Sequence, residues 1–201
     1  MVRVAFTMIE LIFAIVIIGI AVISLPMMTQ ATSKGIEGSI VQEAIFAASA
    51  ELNQAVTYHW DKNSMETNAT DTLARVINIS NDCNTTTKLK PGHVSQPLHR
   101  RCLDNTALTD ANDTSNATIP NLNNATHGSQ NIFTTTTTDQ AGYKKNYNST
   151  LTVTRPANFN GANQNIKQIT VTISDTAGAP ITLLRTYSAN IGEVDYYKRS
   201  Y

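Results

Sequence analysis

Charge, aromatic rings and cysteine are all scarce in this chain. Charged side chains make up 15% of its 201 residues and aromatic ones 6%, with a single Trp and two Cys. Basic and acidic groups balance at 15 each, so no field of one sign draws the chain to nucleic acid, and no nucleic-acid partner is expected. Also missing are a Gly-rich phosphate loop, a nucleophile elbow and a metal-ligand cluster, so neither enzymatic activity nor a cofactor is expected. The length suits one domain with an extension better than two catalytic domains. In place of charge the chain carries 20 Asn and 28 Thr, nearly a quarter of its residues, a composition of exposed β-rich and loop surfaces.

There is one long hydrophobic run. Leu11 to Met28 contains no charge, and with Phe6 to Ile9 added the segment would make a helix of roughly 33 Å, about the thickness of a bilayer's hydrocarbon core. No second stretch of comparable length follows Thr29, which predicts a single membrane pass at most. Arg3 and the initiator amine precede the run, so the short N-terminal end is expected in the cytoplasm and the rest of the chain outside. A secretory signal would put a small-residue cleavage site after the apolar core, and Ser24-Leu25-Pro26-Met27 is a poor one.

Glu10 stands inside this greasy segment. A carboxylate costs about 2.5 to 3.5 kcal/mol at mid-bilayer and less near the end, so an acid there marks function unless it snorkels to the interface. The string Ala5-Phe6-Thr7-Met8-Ile9-Glu10-Leu11, followed by Gly19 and Pro26, resembles the N-terminal motif of type IV pilins and of the pseudopilins of type II secretion. The resemblance covers about 25 residues. It implies a leader over residues 1–5, removed by a prepilin peptidase that cuts between Ala5 and Phe6 and N-methylates Phe6. Glu10 and Gly19 then occupy the fifth and fourteenth mature positions, as in that family. Ala5 replaces the usual Gly, Met8 replaces Leu, and Pro26 comes one residue early. Cleavage would expose an amine at Phe6 that Glu10 of a neighbouring subunit neutralises, two costly charges becoming one paired contact that sets the register between subunits.

Residues 6–28 are thus read as a transmembrane and filament-core helix, and residues 29–61 as its amphipathic continuation. Ile36, Ile40, Ala44, Ala48, Leu52 and Val56 recur every four residues, flanked by Ile45 and Ala55, and read as a buried stripe with Glu37, Glu43 and Glu51 solvated beside it. Pro26, Gly35 and Gly38 are the weak points, where a kink or local melting is expected. Tyr58 and Trp60 read as packing residues, and Thr72 to Ile79 as a short second helix.

Residues 62–201 form a β-rich head with long Asn/Thr-rich loops. Thr134 to Thr138 reads as strand or extended linker. Leu151 and Val153, and then Ile169, Val171 and Ile173, alternate with polar residues. A turn at Asp175 to Pro180 and a third strand from Ile181 to Ile191 follow, giving a three-stranded antiparallel meander over the helix. The expected fold is α+β: a long N-terminal helix, its first half transmembrane, packed on a small antiparallel sheet. The tail from Asp195 to Tyr201 reads as an edge extension or an exposed contact.

Cys83 and Cys102 are expected to form a disulfide in an oxidising compartment, worth about 3 kcal/mol. His93 and His99 between them would complete a zinc set, though without the short paired spacing of zinc motifs. Asp110, Asn112 and Thr114 resemble the start of a calcium loop, but Ser115 and Asn121 stand where that loop needs Gly and Glu. His59 and His127 read as surface or helix-end residues. Asn-x-Ser/Thr acceptors occur at Asn68, Asn78, Asn84, Asn112, Asn116, Asn124 and Asn148. Of these, Asn68, Asn84 and Asn112 carry an acid two residues earlier.

The resemblance implies a structural subunit of a type II secretion pseudopilus or a type IV pilus, in the pseudopilin or minor pilin class. It also implies a single inner-membrane pass with a periplasmic or extracellular head. Its implied partners are the prepilin peptidase, sibling pilin or pseudopilin subunits, the assembly platform and its ATPase. The competing expectation is a membrane-anchored adhesin or ligand-binding ectodomain that does not polymerise, for which Glu10 would have no use.

Overall fold

The computed structural model describes residues 7–64, 75–79, 81–91, 101–103, 120–132, 146–156 and 164–192. Helix α1 runs Met8–Val56; β1 is Val76–Ile77, β2 Cys102–Leu103, α2 Leu122–Ala125, β3 His127–Asn131, β4 Asn148–Thr154, β5 Ile166–Ser174 and β6 Pro180–Ala189. The chain divides into two units, Met1–Glu43 and Ala44–Tyr201.

In the first unit the Thr7 carbonyl accepts the amides of Glu10 and Leu11, which starts α1, and Glu10 lies in its first turn, where a carboxylate complements the helix dipole. The helix is unbroken through Pro26, Gly35 and Gly38, so the expected local melting between Pro26 and Gly38 is absent from this chain on its own. Proline removes one amide donor, and the turns on either side keep theirs. Nearby hydroxyls turn inward to the helix backbone: Ser24 Oγ to the Ala21 carbonyl (3.0 Å), Thr29 Oγ1 to Pro26 (2.9 Å) and Thr32 Oγ1 to Met28 (2.9 Å). Their polar atoms thus demand nothing of the surroundings.

The second unit is a four-stranded antiparallel sheet, in the order β3-β4-β5-β6, with the last turns of α1 against it. Its inner face carries Leu151 and Val153 of β4 and Ile169, Val171 and Ile173 of β5, all buried, as their alternation predicts. The β5–β6 turn is closed by Asp175, whose Oδ1 accepts the amides of Ala177 (2.9 Å) and Ala179 (2.8 Å), while Gly178 takes the left-handed φ of 87°. The sheet has one strand more than expected. β3 reads His-Gly-Ser-Gln-Asn, an edge strand with no apolar residue, so no period-two signal announces it.

The helix face is also corrected. Ala44, Ala48 and Ala55 are buried, but Ile36, Ile45 and Val56 are 51%, 40% and 47% exposed. Steps of four residues overshoot a full turn by about 40° each, so a run of five such steps winds off any one face, whereas 44, 48, 51, 55 alternates four and three and stays on it. Glu51 falls on this inward face rather than in solvent. Of the second helix expected at Thr72 to Ile79, residues 72–74 lie outside the described chain, and Val76–Ile77 form β1, parallel to β2, a two-residue contact too short to signal in sequence.

β1 and β2 are fixed to the head by polar groups and a disulfide. Asn190, buried at the end of β6, accepts the Ile77 amide at Oδ1 (3.0 Å) and donates from Nδ2 to the Ile77 carbonyl (2.8 Å), acting as one more strand residue. Cys83 and Cys102 are joined, Cα atoms 6.4 Å apart, and pack on Val76. The residues Thr134–Thr138 and Asp195–Tyr201 lie outside the described chain.

Candidate functional site

Of the assembly residues singled out in the sequence, Glu10 lies at the N-terminal end of α1. Ala5 and Phe6 are outside the described residues. Beyond Thr7 the surface around Glu10 is apolar: every large hydrophobic side chain from Met8 to Met28 is between 52% and 84% exposed. The segment is long and apolar enough to cross a membrane, with mean hydropathy 2.8 over its most apolar window. Fifteen such side chains, at about 1 kcal/mol each for the half left in water, exceed the whole stability of a typical domain. A hydrocarbon phase or other apolar helices around this segment would remove that cost. Gly19, Gly35 and Gly38 have no neighbour within 4 Å of where a Cβ would stand, which leaves room for close approach at those points.

The head holds two polar clusters that sequence reading passed over. In the first, both carboxylate oxygens of Glu51 are used: Ser149 Oγ donates to one and His127 Nε2 meets the other. His127 Nδ1 is 2.8 Å from the Gly128 carbonyl. The carboxylate stands in the middle, whereas a nucleophilic triad needs the imidazole between hydroxyl and acid, so this arrangement does not activate Ser149. It ties α1 to β3 and β4. Two open clefts of about 340 Å³ flank it, one against Gln54, Tyr58 and Asn124, the other against Ala47, Ala50 and Ile132.

The second cluster surrounds Lys167, which is wholly buried at the inner face of β5. Its Nζ donates to the Trp60 carbonyl (2.6 Å), Asp61 Oδ2 (2.8 Å) and Asn123 Oδ1 (2.8 Å), and lies 4.4 Å from the centre of the Trp60 indole. Burial pulls the amine's pKa down to about 8, against the opposing pull of Asp61. Asp61 is held in turn: Oδ1 accepts the Asn63 amide (3.0 Å), and its carbonyl accepts the Ser64 amide and hydroxyl in the 3₁₀ turn Lys62–Ser64. Asn123 is placed by the cap of α2, where Asn121 Oδ1 accepts the amides of Asn123 and Asn124. The alternation of β5, read one step back from Ile169, puts Lys167 inside, and that of β4, read back from Leu151, does the same for Ser149. Those were the signals available.

The cysteines are bonded to each other and so do not serve as zinc ligands. His93, His99 and Asp110 to Ser115 lie outside the described residues, among which no group of three or more metal-ligating side chains occurs. Of the Asn acceptors, Asn84 is exposed, its Oδ1 taking the Thr86 and Thr87 amides (both 2.9 Å), and Asn78 Oδ1 accepts the Cys83 amide. Asn68, Asn112 and Asn116 are outside the described residues. Compared with family models, curated proteins and solved structures, the chain matches none of them.

Proposed function

We propose that this chain is a structural subunit of a helical filament, a type II secretion pseudopilin or minor type IV pilin, made as a prepilin and assembled through α1. The observation that carries this reading is a single carboxylate, Glu10, in the first turn of α1, within the otherwise uncharged, exposed apolar segment Met8 to Met28 and in the string Phe6-Thr7-Met8-Ile9-Glu10-Leu11. A prepilin peptidase cuts before Phe6 and methylates it. The new amine pairs with Glu10 of the next subunit, and apolar helix packing does the rest. The stored form is a single-pass inner-membrane protein with its head in the periplasm, handled by the assembly platform and its ATPase. Its work is mechanical.

Two measurements test this. The protein isolated from native membranes should begin at N-methylated Phe6; an intact Met1, or a start beyond Met28, refutes the reading. Glu10→Ala should leave the chain in the membrane but abolish its recovery in filaments. Normal filament incorporation of that variant would reduce the chain to a tethered ectodomain.

A further inference from the structure

The Lys167 amine has a carboxyl, Asp61, and a carboxamide, Asn123, each within hydrogen-bond distance of its Nζ at a site closed to solvent. All three side chains are fully buried, and the face of Trp60 closes one side. An ordinary buried ion pair needs the amine and the acid. The carboxamide adds an electrophilic carbon, Cγ of Asn123, next to the oxygen that already holds Nζ at 2.8 Å. Three rigid supports fix the reactants: the β5 ladder for Lys167, the 3₁₀ turn for Asp61 and the Asn121 cap for Asn123. Held contact of this kind is what converts a slow bimolecular reaction into a fast intramolecular one.

We propose that Lys167 and Asn123 join in an intramolecular isopeptide bond, with Asp61 carrying the protons. The Asp61 carboxylate takes a proton from the Lys167 ammonium. The freed amine attacks Asn123 Cγ, forming the N–C bond as the carbonyl electrons move to Oδ1, and the protonated Asp61 donates a hydrogen bond to that oxyanion. The proton left on the attacking nitrogen passes through Asp61 to Nδ2. The Cγ–Nδ2 bond breaks, the carbonyl reforms, and ammonia departs and takes up the proton that Asp61 holds. One ammonium and one carboxamide enter; one secondary amide and one ammonium ion leave, and nothing is oxidised or reduced. The lowered proton affinity of Lys167 helps, because the reactive free amine is accessible near neutral pH. Exclusion of water suppresses the competing hydrolysis of Asn123.

The bond would tie β5 to α2 across 44 residues, enclosing β3 and β4 in a covalent loop that no reductant opens. It does not depend on the filament reading, since it uses only the head.

The experiment is mass spectrometry of the full-length protein, purified in detergent, incubated at mildly alkaline pH, reduced, unfolded and digested. The expected result is a branched peptide carrying Asn123 and Lys167 at the sum of their masses less one ammonia, present in stoichiometric yield. Lys167→Arg and Asp61→Ala should each abolish it, with the fluorescence of buried Trp60 reporting whether the head has folded. Recovery of the Asn123 and Lys167 peptides separately from folded wild-type protein, each at its unmodified mass, overturns the proposal, and this arm needs no variant. A cross-link formed with loss of water between Lys167 and Asp61 overturns it too, by making the acid the electrophile.

Discussion

The inward face of α1 is lined by alanines, and this makes a sharp prediction about size. Ala48 is completely buried, whereas Ala50, two residues along and about 200° round the helix, is exposed. Ala48→Leu forces three extra carbons into the helix–sheet seam and should cost about 1 to 3 kcal/mol, since overpacked side chains must leave their rotamers or push the backbone aside. Ala50→Leu makes the same chemical change in solvent and should stay within about 0.5 kcal/mol, the helix propensities of the two residues being close. For a head of this size 1 kcal/mol moves the midpoint by about 2 to 4 °C, so the buried substitution should lower it by about 2 to 12 °C and the exposed one by at most about 2 °C. Trp60 is the sole Trp and is buried in the head, so its fluorescence in detergent-solubilised protein follows head unfolding without interference from the apolar helix. Equal midpoints for the two variants would refute the assignment of the alanine face.

Three other outcomes follow from the head. Glu51→Ala strands the Ser149 hydroxyl and the His127 ring, both less than a quarter exposed at the seam, and should cost about 1 to 3 kcal/mol by urea titration, while Glu51→Gln should recover part of it. Replacing Cys83 and Cys102 together by Ser releases a link between positions 19 apart and should cost about 3 kcal/mol; an unchanged denaturation midpoint under oxidising conditions would show the link to be energetically idle. In protein whose Lys167 is still a free amine, that amine binds its proton less tightly folded, at about pH 8, than unfolded, at its ordinary 10.5. The unfolded chain then holds more protons between those values, so stability should rise with pH across that window by about 3 kcal/mol, and Lys167→Met should flatten the slope.

Legibility of the sequence divides along physical lines. The apolar segment and Glu10 stand out because the signal is local: one acid among contiguous hydrophobic residues is visible without knowing what it touches. β4, β5 and β6 are legible for the same reason, since Leu151 and Val153 or Ile169, Val171 and Ile173 repeat within a few residues. The contributions of Glu51, His127, Asn123 and Asn190 were not, because each depends on a partner far along the chain: 76 positions separate Glu51 from His127, and 113 separate Ile77 from Asn190. Asn is so frequent here that no single one attracts notice by composition.

Those distant polar contacts also solve a problem that the apolar pattern leaves open. A strand such as Ile166–Ser174, alternating Ile or Val with Thr or Gln, keeps its hydrophobic face inward if it slips by two residues, and the same holds for Asn148–Thr154 beside it. Burial alone therefore distinguishes poorly between the native register and its nearest competitor. A slip of two residues moves each side chain about 7 Å along the strand. Lys167 would then lose Asp61, Asn123 and the Trp60 carbonyl together, leaving an ammonium without acceptors at a cost of about 3 to 5 kcal/mol, and Ser149 would leave Glu51. The wholly buried lysine, which the apolar pattern would forbid, is thus the residue that selects one pairing of β5 from the set the hydrophobic alternation permits.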